Sequence, residues 1–134
     1  MSAQKYSEQE IEDVLNQIKF LVSKNRFIIS TGENRQKNDE FADEFNLDTS
    51  KRKELILKIE VHDFCDCVQS PNPYRNHDDY FIFGPQFTLE DFLGDKRSVQ
   101  VYAKFVLAAS QTSGLKTIVV SFHEAERPLS YYFQ

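Results

Sequence analysis

Tryptophan is absent, and the four glycines stand apart at positions 32, 84, 94 and 114. That scatter excludes a glycine-rich phosphate loop and a dinucleotide-binding fingerprint, each of which needs several glycines within one turn. No apolar run approaches the roughly eighteen residues of a membrane span. No charged segment leads into an apolar one at the N-terminus either, so neither a span nor a secretory signal is expected and the cytoplasm is the expected compartment. Internal repeats and low-complexity segments are missing as well.

Cysteine is scarce. Cys65 and Cys67, the only two, make a poor disulfide framework and suit a reducing compartment. With His62 and His77 they offer four metal-ligand types in sixteen residues. Structural zinc, however, takes two or more residues between paired cysteines. Inert thiols beside a surface histidine, with no metal and no cofactor, are therefore expected.

Positive charge is in deficit: 16 Lys and Arg face 21 Asp and Glu, a net charge of -5. Polyanion binding rests on cations, so the total argues against a nucleic-acid partner. The distribution points the other way, because residues 96–134 hold five basic and two acidic side chains. Screening confines charge effects to roughly 10 Å at 0.1 M salt, so local sign outweighs net sign near a surface. Chance clustering is the plain alternative.

What is present suffices for one domain. A chain of 134 residues with Phe 12 and Tyr 6 can bury a real core, and residues 1–134 are read as a single α+β domain, N-terminal helices packed on a small antiparallel β-sheet. The organising stretch is Ser98–Glu126. Val99, Val101, Ala103, Phe105 and Leu107 alternate with Gln100, Tyr102 and Lys104, which predicts a half-buried strand. A second strand is predicted to turn Ile118, Val120 and Phe122 to one side and Thr117, Val119, Ser121 and His123 to the other. A Thr-Ser-Gly stretch between them suits a turn, so Tyr102, Lys104, Ser121 and His123 are expected on one face of a hairpin.

Upstream, Ser7 and Glu10 form a capping-box pattern ahead of an apolar stripe of Ile11, Val14, Leu15, Ile18, Leu21 and Val22, the signature of a docked helix. Residues 26–30 (RFIIS) suggest an edge strand. Phe41, Ala42 and Phe45 suit a short helix, and Asp48 or Ser50 can cap another in which Leu55, Ile56 and Ile59 face inward. Lys51, Arg52 and Lys53 are read as the solvated face of its first turn. Residues 69–79 are a loop by composition, residues 80–83 (YFIF) a buried strand, and residues 86–95 a connection with a helical turn at Leu89–Phe92.

The order of these elements and three short motifs carry a resemblance. Tyr80-Phe81-Ile82-Phe83-Gly84, Val101-Tyr102-Ala103-Lys104 and Ser121-Phe122-His123-Glu124-Ala125-Glu126, with Pro128-Leu129 and aromatics beyond, resemble the MqsR family of bacterial toxins over about residues 11–134. The resemblance implies a RelE-like fold and a ribosome-independent mRNA interferase, with single-stranded mRNA as substrate and a cognate antitoxin protein as partner. It places the family's strand tyrosine on Tyr102, its lysine on Lys104 and its late basic residue on His123. Two positions depart: Cys65 and Asp66 stand where the family has a lysine, and the Tyr80-Phe81 run replaces a tryptophan-glutamine pair.

A metal-free phosphodiester transfer needs a base for the ribose 2′-hydroxyl, a cation for the phosphorane oxygens and an acid for the leaving oxygen. His123 fits the proton-transfer role because imidazole exchanges protons near neutral pH. Lys104 supplies the cation and Tyr102 orients or stacks, with Arg127, Ser121 and Lys116 as RNA contacts. The plain alternative is a solvated strand face on a non-enzymatic interaction protein, which the acidic first two thirds of the chain suit.

Overall fold

The computed structural model describes residues 6–31, 35–69, 79–110 and 114–133. Helix α1 (Glu8–Ser23) starts where Ser7 and Glu10 cap each other: the Glu10 amide donates to Ser7 Oγ at 3.1 Å and the Ser7 amide to Glu10 Oε1 at 2.8 Å. Two otherwise orphaned amides are thereby satisfied. Ile11, Leu15, Ile18, Leu21 and Val22 fall on one buried face. The helix stops at Asn25, whose φ of 61° breaks its continuation, and the Arg26 amide closes the turn on the Leu21 carbonyl.

Strand β1 (Phe27–Ile29) follows, then α2 (Gln36–Glu44) and α3 (Thr49–Ile56). Phe41 and Phe45 hold α2 to the core with ring centroids 5.1 Å apart. Asp48 caps α3 by accepting from the Lys51 amide at 2.8 Å, and Ile56 and Ile59 are buried behind it.

The remaining strands are β2 (Phe64–Gln69), β3 (Asp79–Phe83), β4 (Gln86–Glu90), β5 (Lys96–Ser110) and β6 (Gly114–Glu124). They form a sheet in the order β1-β6-β5-β3-β2, with β4 on β5. The α+β class therefore holds, but the sheet is mixed, because β1 runs parallel to β6 with Phe27 opposite Thr117. A three-residue strand carries no local mark of its direction, which is set by the partner that α1 delivers it to.

Residues 86–90 are a strand and not the connection with a helical turn that the sequence suggests. Phe83 faces Ala103 and Gln86 faces Gln100, three residues further on each strand. The Val101 amide donates to the Pro85 carbonyl at 2.9 Å. Residues 79–90 are thus one long strand against β5, interrupted only where proline has no N–H to give. Asp91 closes the hairpin by accepting from the amides of Leu93 and Asp95, and Gly94 takes a φ of 89° there. β2 was not expected either. Its FCDCVQ sequence alternates too weakly to announce a strand, and it forms because β3 offers it an edge.

The β5–β6 hairpin matches the alternation of its first strand: Val99, Val101, Ala103 and Phe105 lie in the core. The second strand needs a correction. Lys104 pairs with Ser121, yet Phe105 pairs with Val119, so Val120 is an extra residue in a β-bulge. Thr117 and Val119 therefore share the core side with Phe122, while Ile118 is only half-buried. Thr117 Oγ1 donates to the Ile18 carbonyl of α1 at 3.4 Å. The phase of an alternating pattern flips across a bulge, which period-two reasoning cannot foresee.

Candidate functional site

The hairpin brings Tyr102 opposite His123 and Lys104 opposite Ser121, on the sheet face away from the main core. The Tyr102 and His123 rings stack with centroids 5.5 Å apart and an interplanar angle of 26°. His123 Nδ1 lies 2.9 Å from the Glu124 carbonyl oxygen. A carbonyl only accepts, so Nδ1 carries the proton and, in the neutral ring, Nε2 keeps its lone pair. Lys104 Nζ sits 5.2 Å from the centroid of the Tyr80 ring, a cation–π distance.

Beyond the strands the chain turns, and Tyr102, His123, Ala125, Glu126, Arg127 and Leu129 line a cleft of about 380 Å³. Arg127 is exposed at its wall. Glu126 is engaged with Lys37 at 2.5 Å, which holds its carboxyl below the usual range.

Two of the predicted RNA contacts are not placed for that role. Ser121 is only 5% exposed, so its hydroxyl offers little to an incoming strand. Lys116 pairs with Ala108 near the far end of β6, seven residues from His123, or roughly 23 Å at 3.3 Å per residue. Sequence clustering of charge put Lys116 near the site; the length of the strand takes it away.

Two residues at the site escaped sequence reasoning. Asn38 on α2 is buried, donates to the carbonyls of Ser30 and Val120 and accepts from the Phe122 amide at 2.8 Å. It thereby satisfies the backbone of the bulge and ties α2 along the edge of β6, next to His123. A lone asparagine in a polar helix gives no sign of this. Arg35, at the head of α2, lies within electrostatic reach of both strand residues. Burial raises the Tyr102 pKa above 10.0 and the positive charge of Arg35 opposes the rise. Burial lowers the Lys104 pKa below 10.5 and Arg35 adds to the fall. The site thus gathers cationic charge that no stretch of the sequence contains.

The C-terminal residues frame the cleft. Gln100 donates to Tyr131 Oη at 2.9 Å and accepts from the Leu129 amide at 2.9 Å, and Tyr131 Oη donates to the Gly84 carbonyl. Tyr132 stacks edge-on to Phe64, 5.3 Å between centroids. Gly84 permits the crossing: a Cβ there would come within 2.9 Å of Leu129 Cδ1 and 3.0 Å of Cys65 Sγ. Cys65 is a free thiol whose pKa burial pushes up to about 11, so it is a poor nucleophile at neutral pH. Among the described residues no group of three His, Cys, Asp or Glu side chains is arranged to hold a metal ion; His77 lies outside them.

The setting of Lys104 has a measurable consequence. A lysine whose folded pKa is lowered costs stability while it stays charged in both states, and the cost lifts as pH rises through that lowered value toward 10.5. Lys104→Met is expected to be at least as stable as the wild type at neutral pH, with its advantage shrinking in alkaline solution. Urea midpoints at the two pH values check this, and a clear loss of stability at neutral pH would contradict it.

Fold and site define an α+β domain, a mixed sheet with helices on one face and a tyrosine-histidine-lysine cluster on the other. The chain matches no protein-family model, no curated protein and no solved structure. No helix among the described residues is long and apolar enough to cross a membrane.

Proposed function

We propose that the protein is a metal-independent endoribonuclease of the mRNA-interferase type, the toxin of a type II toxin–antitoxin pair, with single-stranded RNA as substrate and a cognate antitoxin as partner. The observation that carries this reading is the Tyr102–His123 stack, with Nδ1 pinned on the Glu124 carbonyl and Lys104 on the adjacent pair of the hairpin. In the reaction, His123 Nε2 takes the proton of a ribose 2′-hydroxyl as that oxygen attacks the neighbouring phosphorus. Lys104, Arg35 and Arg127 offset the charge that grows on the phosphorane oxygens. Tyr102 stays protonated because burial raises its pKa, so its phenol can give a proton to the departing 5′-oxygen. The products are a 2′,3′-cyclic phosphate and a 5′-hydroxyl.

The test is cleavage of single-stranded RNA by the purified protein in EDTA, with end-group analysis for the cyclic phosphate. Cleavage that requires added metal contradicts the mechanism. A wild-type protein inert toward RNA, both free and on ribosomes, favours the interaction-protein reading, which the net charge of -5 suits.

A further inference from the structure

We propose that the outer edge of β1 is a docking strand for an extended, acidic segment of a partner protein, which adds to the sheet as a further strand. Alternate residues of a strand in a parallel pair turn both backbone groups to the same neighbour. The Arg26 carbonyl accepts from the Thr117 amide at 3.0 Å, and the Ser30 amide donates to the Val119 carbonyl at 2.9 Å. With Ile28 opposite Ile118, residues 26, 28 and 30 serve β6. The N–H and C=O of Phe27 and Ile29 therefore point outward, and among the described residues no strand pairs with them. Such an edge is a template for strand addition.

The side chains around it select a partner. Phe27 and Ile29 pack on the core, whereas Ile28 is 49% exposed. Asn25, Arg26, Phe27, Ile28 and Lys116 line a cavity of about 430 Å³ along the edge. Lys24 is exposed one residue before Asn25, and Lys53 Nζ donates to Asn25 Oδ1 at 2.8 Å. Lys24 Nζ lies over the Phe20 ring of α1, 5.8 Å from its centroid, so three cations, Arg26, Lys116 and Lys53, flank the short apolar edge. In a chain of net charge -5 this local excess favours an acidic partner. Pairing β1 with β1 of a second copy would set these cations against one another, a repulsive arrangement. RNA would use the cations and leave the outward amides and Ile28 unmatched. The surface lies at the opposite end of β6 from His123, so the inference stands apart from the ribonuclease reading.

The experiment is an NMR titration of the full chain with a short peptide alternating valine and glutamate, and with its valine-lysine counterpart. The acidic peptide is expected to slow amide hydrogen exchange at Phe27 and Ile29, and the basic one to leave it unchanged. The double variant Arg26→Glu/Lys116→Glu is expected to bind the acidic peptide about tenfold more weakly, with an unchanged circular dichroism spectrum. Unaltered exchange at both amides under saturating acidic peptide overturns the proposal and leaves the cations as guards of the edge. Protection by a single-stranded RNA oligonucleotide alone, or by raising the protein concentration alone, overturns it too.

Discussion

Replacing His123 with alanine is expected to lower RNA cleavage by about 10²- to 10⁴-fold, the range for losing a general base. The imidazole is half-buried and its Nδ1 bonds to the neighbouring Glu124 carbonyl, so the variant should keep its fold. Circular dichroism and a denaturation midpoint beside the rate separate loss of chemistry from loss of structure. Lys51→Ala is the control, because Lys51 is exposed in the first turn of α3, on an element that contributes nothing to the cleft. A folded His123→Ala protein that cleaves as fast as the wild type would end the mechanism.

Phe105→Ala and Phe122→Ala are each expected to cost about 3 to 5 kcal/mol of stability, the range for truncating a fully buried aromatic. Both side chains are 0% exposed. Phe105 lies 6.0 Å from Phe83 between ring centroids, and Phe122 lies 6.1 Å from Phe41. One therefore ties β5 to β3, and the other ties β6 to α2. Against a total stability of roughly 5 to 15 kcal/mol, either loss consumes a large fraction. Urea denaturation showing less than about 1 kcal/mol for both would mean that the hairpin is not the centre of the core.

The burial of Phe105 and of Phe122 follows from the alternation of β5 and β6, which period-two reasoning reads directly; the bulge at Val120 overturns only the sides given to Thr117, Ile118 and Val119. Tyr102 and Lys104 fall on the second face by the same alternation, and so does His123, because the bulge at Val120 lies before Ser121 and leaves the phase of residues 121–123 intact. Arg35 and Asn38 reach the site from a helix more than eighty residues before Ser121, and nothing near them in the chain reports it.

What the sequence by itself determined is everything whose cause is local. Ser7 and Glu10 start α1 because each satisfies the other's amide; the stripe of Ile11, Leu15 and Ile18 aims that helix at the core; Asp48 starts α3. The tertiary structure alone decided the parallel placement of β1, the pairing of β2, the continuation of β3 into β4 past Pro85 and the bulge at Val120. It also decided the fold-back of residues 129–132 onto Gln100, Gly84 and Phe64. Each depends on which distant backbone offers a free edge or carbonyl. A cap or a periodicity spends its hydrogen bonds and apolar contacts within a few residues, whereas a strand edge waits for a partner that only the assembled chain supplies.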